Sequence, residues 1–128
     1  MPKQDIISTF DRYAEDYDQV VHGYYSERRG DLLASLAKGH VLEVGAGSGV
    51  VTSKLMRKGK VTAVDISPKM VEVLRKKLGV EAVTADAERL PFKDGKFDSV
   101  ISSEVIYYLN EPQNFFDESH RVLKKGGV

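Results

Sequence analysis

A short apolar run that breaks into alternating glycines is the strongest constraint in this chain. "HVLEVGAGSGVV", starting at His40, places Gly45, Gly47 and Gly49 between a valine-rich stretch and the next element. Glycine inside regular structure costs roughly 0.5–1 kcal/mol relative to alanine. Three at alternate positions mark a sharp turn and a main chain that something approaches closely. The run before them is brief, apolar and stopped by glycine, as a buried parallel strand is.

The same alternation continues downstream. Residues 48–58 predict a helix closed by Gly59, and "KVTAVDI" a second strand. "SPKMVEVLRKKLG" predicts a helix with Ser67 as N-cap, Pro68 at its first position and Gly79 as its stop. "VEAVTAD" reads as a third strand, "AERLPFKDGK" as loop and turn, and "FDSVISS" as a fourth strand. Asn110 and Pro112 introduce a last helix through Phe115, Phe116, Val122 and Leu123, ending at Gly126-Gly127. Upstream, Ile6, Phe10, Tyr13, Tyr17 and Val21 form a helical stripe over residues 4–21. A second helix is expected around residues 27–37, with Leu32, Leu33 and Leu36 turned inward. Strands alternating with helices imply an α/β fold with an open, mainly parallel sheet and helices on both faces. One domain over residues 1–128 is expected, divided into an N-terminal helical cap (1–38) and an α/β core (39–128).

Composition narrows the function classes. Nineteen basic residues balance nineteen acidic ones, which argues against broad electrostatic binding to nucleic acid or to an anionic membrane. With no cysteine, a disulfide scaffold and a thiolate metal site are excluded, and no histidine pair has metal-ligand spacing. The N-terminus carries no apolar core of signal-peptide length and no run approaches a membrane span. A cytoplasmic protein acting on a small molecule is the expectation.

In open α/β sheets ligands sit outside the carboxyl ends of the strands, where strand order reverses. Gly45, Gly47 and Gly49 follow the first strand, Asp65 closes the second and Asp86 the third, so all of them fall on one rim. A carboxylate at the end of the second strand can accept both hydroxyls of a ribose. A dinucleotide would ask for G-x-G-x-x-G, but Val50 stands where the third glycine belongs. Glu43, inside the first strand, would repel a pyrophosphate and welcome an ammonium or sulfonium. The rim therefore favours an adenosyl amino acid.

At this point the chain resembles the class I S-adenosylmethionine-dependent methyltransferases, in particular the small-molecule branch that includes ubiquinone and menaquinone methyltransferases. "VLEVGAGSG" is similar to the glycine motif of that family, "VTAVDISPKM" to its second-strand acid, "ADAERLPFKDGKFDSVISS" to its third and fourth strands, and "RVLKKGGV" to the lead into a fifth. The resemblance implies a Rossmann-like core and S-adenosyl-L-methionine as cofactor. It implies that Glu43, Gly45, Ala46, Gly47 and Gly49 hold the methionine part. Asp65 would take the ribose, Ile66 and Met70 would pack on adenine, and Asp86 would accept the adenine amine with Ala87 beside it. Ser102 and Ser103 would lie under the methyl group, and Tyr13 would fold over the cofactor. No catalytic base is assigned; Glu104, Tyr107 and Tyr108 follow the fourth strand and are candidates to face the substrate, the other reading being a helical turn with one inward tyrosine. Members of the family continue with a fifth strand and a terminal antiparallel pair, so this chain is expected to be a shortened version of a longer methyltransferase. Its fourth strand is expected to be an exposed edge through which copies associate. The alternative is a shortened, non-catalytic module that binds S-adenosylmethionine.

Overall fold

The computed structural model describes residues 2–15 and 24–128, with the side chains of 24–26 excepted. Tyr17 and Val21 of the N-terminal stripe lie outside the described residues. The elements run α1 (Lys3–Tyr13), α2 (Tyr24–Leu36), β1 (Val41–Val44), α3 (Val50–Met56), β2 (Val61–Asp65), α4 (Pro68–Leu78), β3 (Glu81–Thr84) and β4 (Ser99–Ser102). A single 3-10 turn (Ile106–Tyr108) and α5 (Pro112–Val122) complete them. The four strands form one parallel sheet in the order β3-β2-β1-β4. Chain order steps outward from β1 through β2 to β3, then jumps to the other side of β1 for β4. The switch point therefore lies at β1, whose carboxyl end is the glycine loop.

All of β1 and β2 is buried, because helices cover both faces of the sheet. Side-chain alternation sorts their residues into two cores. Val41, Val61, Ala63 and Ile101 pack with Ala34, Ala37, Leu55 and Leu74 on the face of α2, α3 and α4. Leu42, Val44 and Val64 pack with Phe97, Phe115 and Val122 on the face of α5. Each face is a separate hydrophobic layer, so the sheet is clamped from both sides.

Local chemistry sets the helix ends. The Ser67 hydroxyl accepts from the Met70 N–H at 3.1 Å, Pro68 opens α4, and Gly79 closes it at φ 63°. At α2 two of the three expected inward leucines are corrected, while Leu33 packs against the core. Leu32 and Leu36 are 60 % and 57 % exposed, while Gly30, Ala34 and Ala37 are buried. The small residues form the buried stripe because α2 lies close against α3, where a Cβ on Gly30 would stand 2.7 Å from Lys54 Cδ. The fourth strand is also not left bare. Val100 N–H donates to the Val128 carbonyl at 2.8 Å and Val128 N–H to the Asp98 carbonyl at 3.0 Å, so the chain's own last residues run along the β4 edge. Among the described residues, no helix is long and apolar enough to cross a membrane.

Candidate functional site

The rim at the switch point carries a groove made of two joined hollows. Phe10, Gly45, Gly47, Ser103, Glu104 and Tyr108 wall both. One hollow continues over Asp65, Ile66, Asp86 and Ala87 and is roofed by Lys3 and Ile6 from α1. The other, about 390 Å³, continues over Glu43, Ala46, Ser48, Arg29 and Tyr107. That size is within the usual range of small-molecule sites.

The glycine loop is shaped by sterics before any ligand is considered. Gly45, Gly47 and Gly49 have φ of 77°, 56° and 95°, the left-handed region that glycine enters without cost. A Cβ on Gly45 would stand 2.1 Å from Val105 Cγ2, and one on Gly49 would stand 2.6 Å from Leu78 Cδ1. Gly49 therefore serves packing against α4, and it does not wall the groove.

Glu43 is the electrostatic anomaly. It is 3 % exposed, in register with Ala63 on one side and Ile101 on the other, and it lines the larger hollow. Its Oε2 has no hydrogen-bond partner among the described residues. Burial pushes its carboxyl up to about 8, the nearby Thr52 hydroxyl pulling the other way and Asp65 adding to the rise. A buried acceptor without a partner is costly, and a cation in the hollow would relieve it.

Asp65 is buried at the end of β2 and ties the rim together. Its Oδ2 accepts from Gly47 N–H and its Oδ1 from Ser67 N–H, each at 3.0 Å. Burial raises its carboxyl, while these backbone donors pull it down. Ile66 N–H is a third backbone group acting on it, and a carboxylate has about four acceptor sites, so capacity for a hydroxyl in the hollow remains. Asp86 sits one strand further along, its Oδ1 accepting from Glu88 N–H at 2.9 Å and its Oδ2 paired with the Lys3 ammonium.

The structure thus gathers Glu43, Gly45, Ala46, Gly47, Asp65, Ile66, Asp86, Ala87 and Ser103 around one groove. It places four expected residues elsewhere. Met70 is 1 % exposed within α4 and does not wall the groove, and Gly49 packs on α4. The Ser102 hydroxyl donates to the Val44 carbonyl at 3.0 Å, tying β4 to β1 instead of lining the groove. Tyr13 is 40 % exposed, beyond the end of the roof. Its neighbour one turn earlier, Phe10, is the aromatic over the groove, set edge-on to Tyr108 at 5.4 Å. Lys3 and Arg29 also enter the walls without having been singled out. For Phe10 the signal was its place on the Ile6 stripe. No local pattern marks the two cations, since only the tertiary arrangement brings α1 and α2 to the rim.

A parallel α/β sheet with a groove at its switch point, a glycine loop and two strand-end acids is the architecture with which open α/β sheets bind nucleoside-containing ligands. Residues 42–128 match the family described as "Methyltransferase domain". The chain belongs to this family, the Rossmann-like class I methyltransferases, whose cofactor is S-adenosyl-L-methionine. An uncharacterized protein of Methanocaldococcus jannaschii is 34 % identical over 124 residues, covering 94 % of this chain and 58 % of that protein. The demethylmenaquinone methyltransferase of Clavibacter sepedonicus is 41 % identical over 100 residues, covering 74 % of this chain and 41 % of that enzyme. Among solved structures, a SAM-dependent methyltransferase of Thermotoga maritima superposes with a TM-score of 0.77 at 34 % identity, covering 92 % of this chain and 56 % of that one. The chain thus spans about half the length of the relatives it matches.

Proposed function

We propose that the groove binds S-adenosylmethionine and that the protein passes its methyl group to a small-molecule acceptor. The observation that carries this reading is Glu43: a buried carboxyl with one unpartnered oxygen fits an amino-acid ammonium, and pairing with one would offset its desolvation penalty. Glu43 and the loop from Gly45 to Gly47 would hold the amino-acid end. The remaining acceptor capacity of Asp65 would take the ribose, and Asp86 the exocyclic amine of adenine, with Ile66 and Ala87 against the ring. When bound, S-adenosylmethionine supplies an activated methyl group on a sulfonium. What the chain's residues contribute is alignment and exclusion of water. Phe10, Tyr107 and Tyr108 line the larger hollow. We assign no catalytic base.

The balanced charge, nineteen basic against nineteen acidic residues, supports a small acceptor over nucleic acid and fits action in the cytoplasm. Residues 1–38 act in this reading as a helical cap on a core of residues 39–128. Calorimetric titration with S-adenosylmethionine and S-adenosylhomocysteine tests the binding half of the proposal, and methyl release over a panel of small acceptors tests the transfer half. Asp65→Ala should weaken binding by roughly 1–3 kcal/mol, through loss of charge-assisted hydrogen bonds to hydroxyls. Unchanged affinity in a folded Asp65→Ala variant would remove that residue from the site. Binding without transfer to any acceptor would reduce the protein to a cofactor-binding module.

A further inference from the structure

The strand-end acid Asp86 is engaged on both oxygens. Its Oδ1 accepts from Glu88 N–H at 2.9 Å, and its Oδ2 is paired with Lys3 from the first turn of α1. Lys3 also walls the hollow that contains Asp65, Ile66, Asp86 and Ala87, so its ion pair with Asp86 is formed between two residues of the groove wall. A second acid is within its reach: Lys3 Nζ lies 2.9 Å from Glu88 Oε2. Glu88 is immobilised, because its Oε1 and Oε2 accept from the N–H groups of Glu111 and Asn110 at 2.9 and 3.1 Å.

We infer that Lys3 is an internal competitor for the adenine end of the groove. Its ammonium holds the Asp86 carboxylate that would receive the exocyclic amine, and binding leaves it on Glu88 alone. The inference rests on the cofactor reading given above. The energetics are asymmetric. Both the ammonium and an arylamine are donors to the same acceptor, so one weakens the other. The displaced ammonium keeps an ion pair, so the exchange needs no charge to be stranded. The pair, its side chains 30 % and 31 % exposed, is in the range where solvent and salt screen it, which makes the competition modest and tunable.

The position of α1 does not depend on this contact. Asp11 Oδ1 accepts from the Ser67 hydroxyl and from Lys69 N–H at 3.3 Å, and Ile6 is 4 % exposed beneath the helix. Removing the ammonium therefore leaves the roof in place. That separates a competitor from a residue that merely holds the helix down.

The test is calorimetric titration of S-adenosylhomocysteine into the intact chain and its Lys3→Met and Lys3→Arg variants, at about 20 mM and about 300 mM NaCl. Lys3→Met should bind roughly two- to five-fold more tightly at low salt, the range expected for loss of a partly exposed ion pair. The wild-type protein and Lys3→Arg should gain affinity as salt rises, while Lys3→Met stays level. A Lys3→Met protein that binds equally or more weakly, or a wild-type affinity that falls with salt, overturns the competitor and leaves the groove assignment intact. No binding to any of the three folded proteins removes the cofactor reading, and the competitor with it.

Discussion

The two ends of the sheet are built to opposite specifications. At the amino ends of the strands, polar groups are closed on one another. Lys38 N–H donates to Ser99 Oγ, whose hydroxyl donates back to the Lys38 carbonyl, each at 2.8 Å. His40 N–H donates to Asp98 Oδ2 at 2.8 Å, and His40 Nε2 meets Thr62 Oγ1 at 2.9 Å. At the carboxyl ends, Glu43 is buried with an unpartnered oxygen, and Glu104 is the one non-glycine residue at positive φ among those described. The same four strands supply both ends, so the difference is not one of fold. One end is closed by its own hydrogen bonds; the other keeps an unmet acceptor and backbone strain at its rim, as binding sites do.

The sharpest way to break the comparison is Gly45→Ala. The new methyl would overlap Val105 Cγ2 at 2.1 Å with φ at 77°, so two penalties add. We expect about 2–4 kcal/mol of lost stability in urea unfolding, together with collapse of the groove. Gly79→Ala is the control for conformation alone. Its φ is 63° and nothing lies within 4 Å of a Cβ there, so about 1 kcal/mol is expected. Equal costs for the two would mean that the rim is no tighter than an exposed helix end.

Glu43→Gln comes next and reads out as a pH dependence. In the folded protein this carboxyl keeps its proton to about 8, whereas in the unfolded chain it ionises near its ordinary value of 4.5. Its contribution to stability is therefore full below pH 4.5 and is lost as pH rises through about 8. The glutamine variant escapes that loss and should be more stable than wild type above this window by roughly 1–3 kcal/mol in denaturant titration. Binding moves the other way. Wild-type affinity for S-adenosylhomocysteine should climb with pH toward 8, as the carboxyl becomes ready to pair with an ammonium. Glu43→Gln should be flat and weaker by on the order of tenfold at the top of that range. A variant that binds as wild type does would detach Glu43 from the ligand.

What could be read in the chain followed from how local each signal is. Ser67, Pro68 and Gly79 delimit α4 through contacts within a single turn, and the structure repeats that reading. The two central strands, β1 and β2, were legible from apolar runs because both of their faces are buried. Strand-end residues such as Asp65 inherit their place from the sheet, so topology alone brings them to one rim. Helix faces are different. Whether Leu32 or Ala34 turns inward depends on how near α3 stands, and spacing permits either. In the same way, Phe10 and Tyr13 lie on one apolar stripe, and only the docking of α1 over Asp86 and Ser67 decides which of them reaches the groove. Long-range ion pairs such as that of Lys3 leave no mark on neighbouring residues at all.

Ser99→Ala should sharpen the contrast from the sealed end. Ser99 is fully buried, and its hydroxyl both accepts from and donates to the backbone of Lys38. Truncation leaves a backbone N–H and carbonyl without these partners, at an expected cost of about 1–2 kcal/mol by thermal or urea unfolding. Affinity for S-adenosylhomocysteine should be unchanged, because the substitution is at the far end of β4. Parallel losses of stability and affinity would mean that the two ends are coupled through the sheet.

Glu104→Gly has the smallest expected effect and the opposite sign. Glu104 holds φ at 62°, a conformation that costs a non-glycine residue on the order of 1 kcal/mol. Its side chain is 51 % exposed and reaches Arg29 Nη1 at 3.3 Å and the Tyr107 hydroxyl, both at the rim. An exposed ion pair returns only a fraction of that cost. Glycine should therefore stabilise the fold by about 0.5 kcal/mol, seen as a small rise in melting temperature. The side chain would then be kept for the larger hollow, with strain carried by the backbone to aim it there. A loss of stability in Glu104→Gly would reverse this: the Arg29 and Tyr107 contacts would outweigh the strain, and this part of the rim would be as self-satisfied as the sealed end.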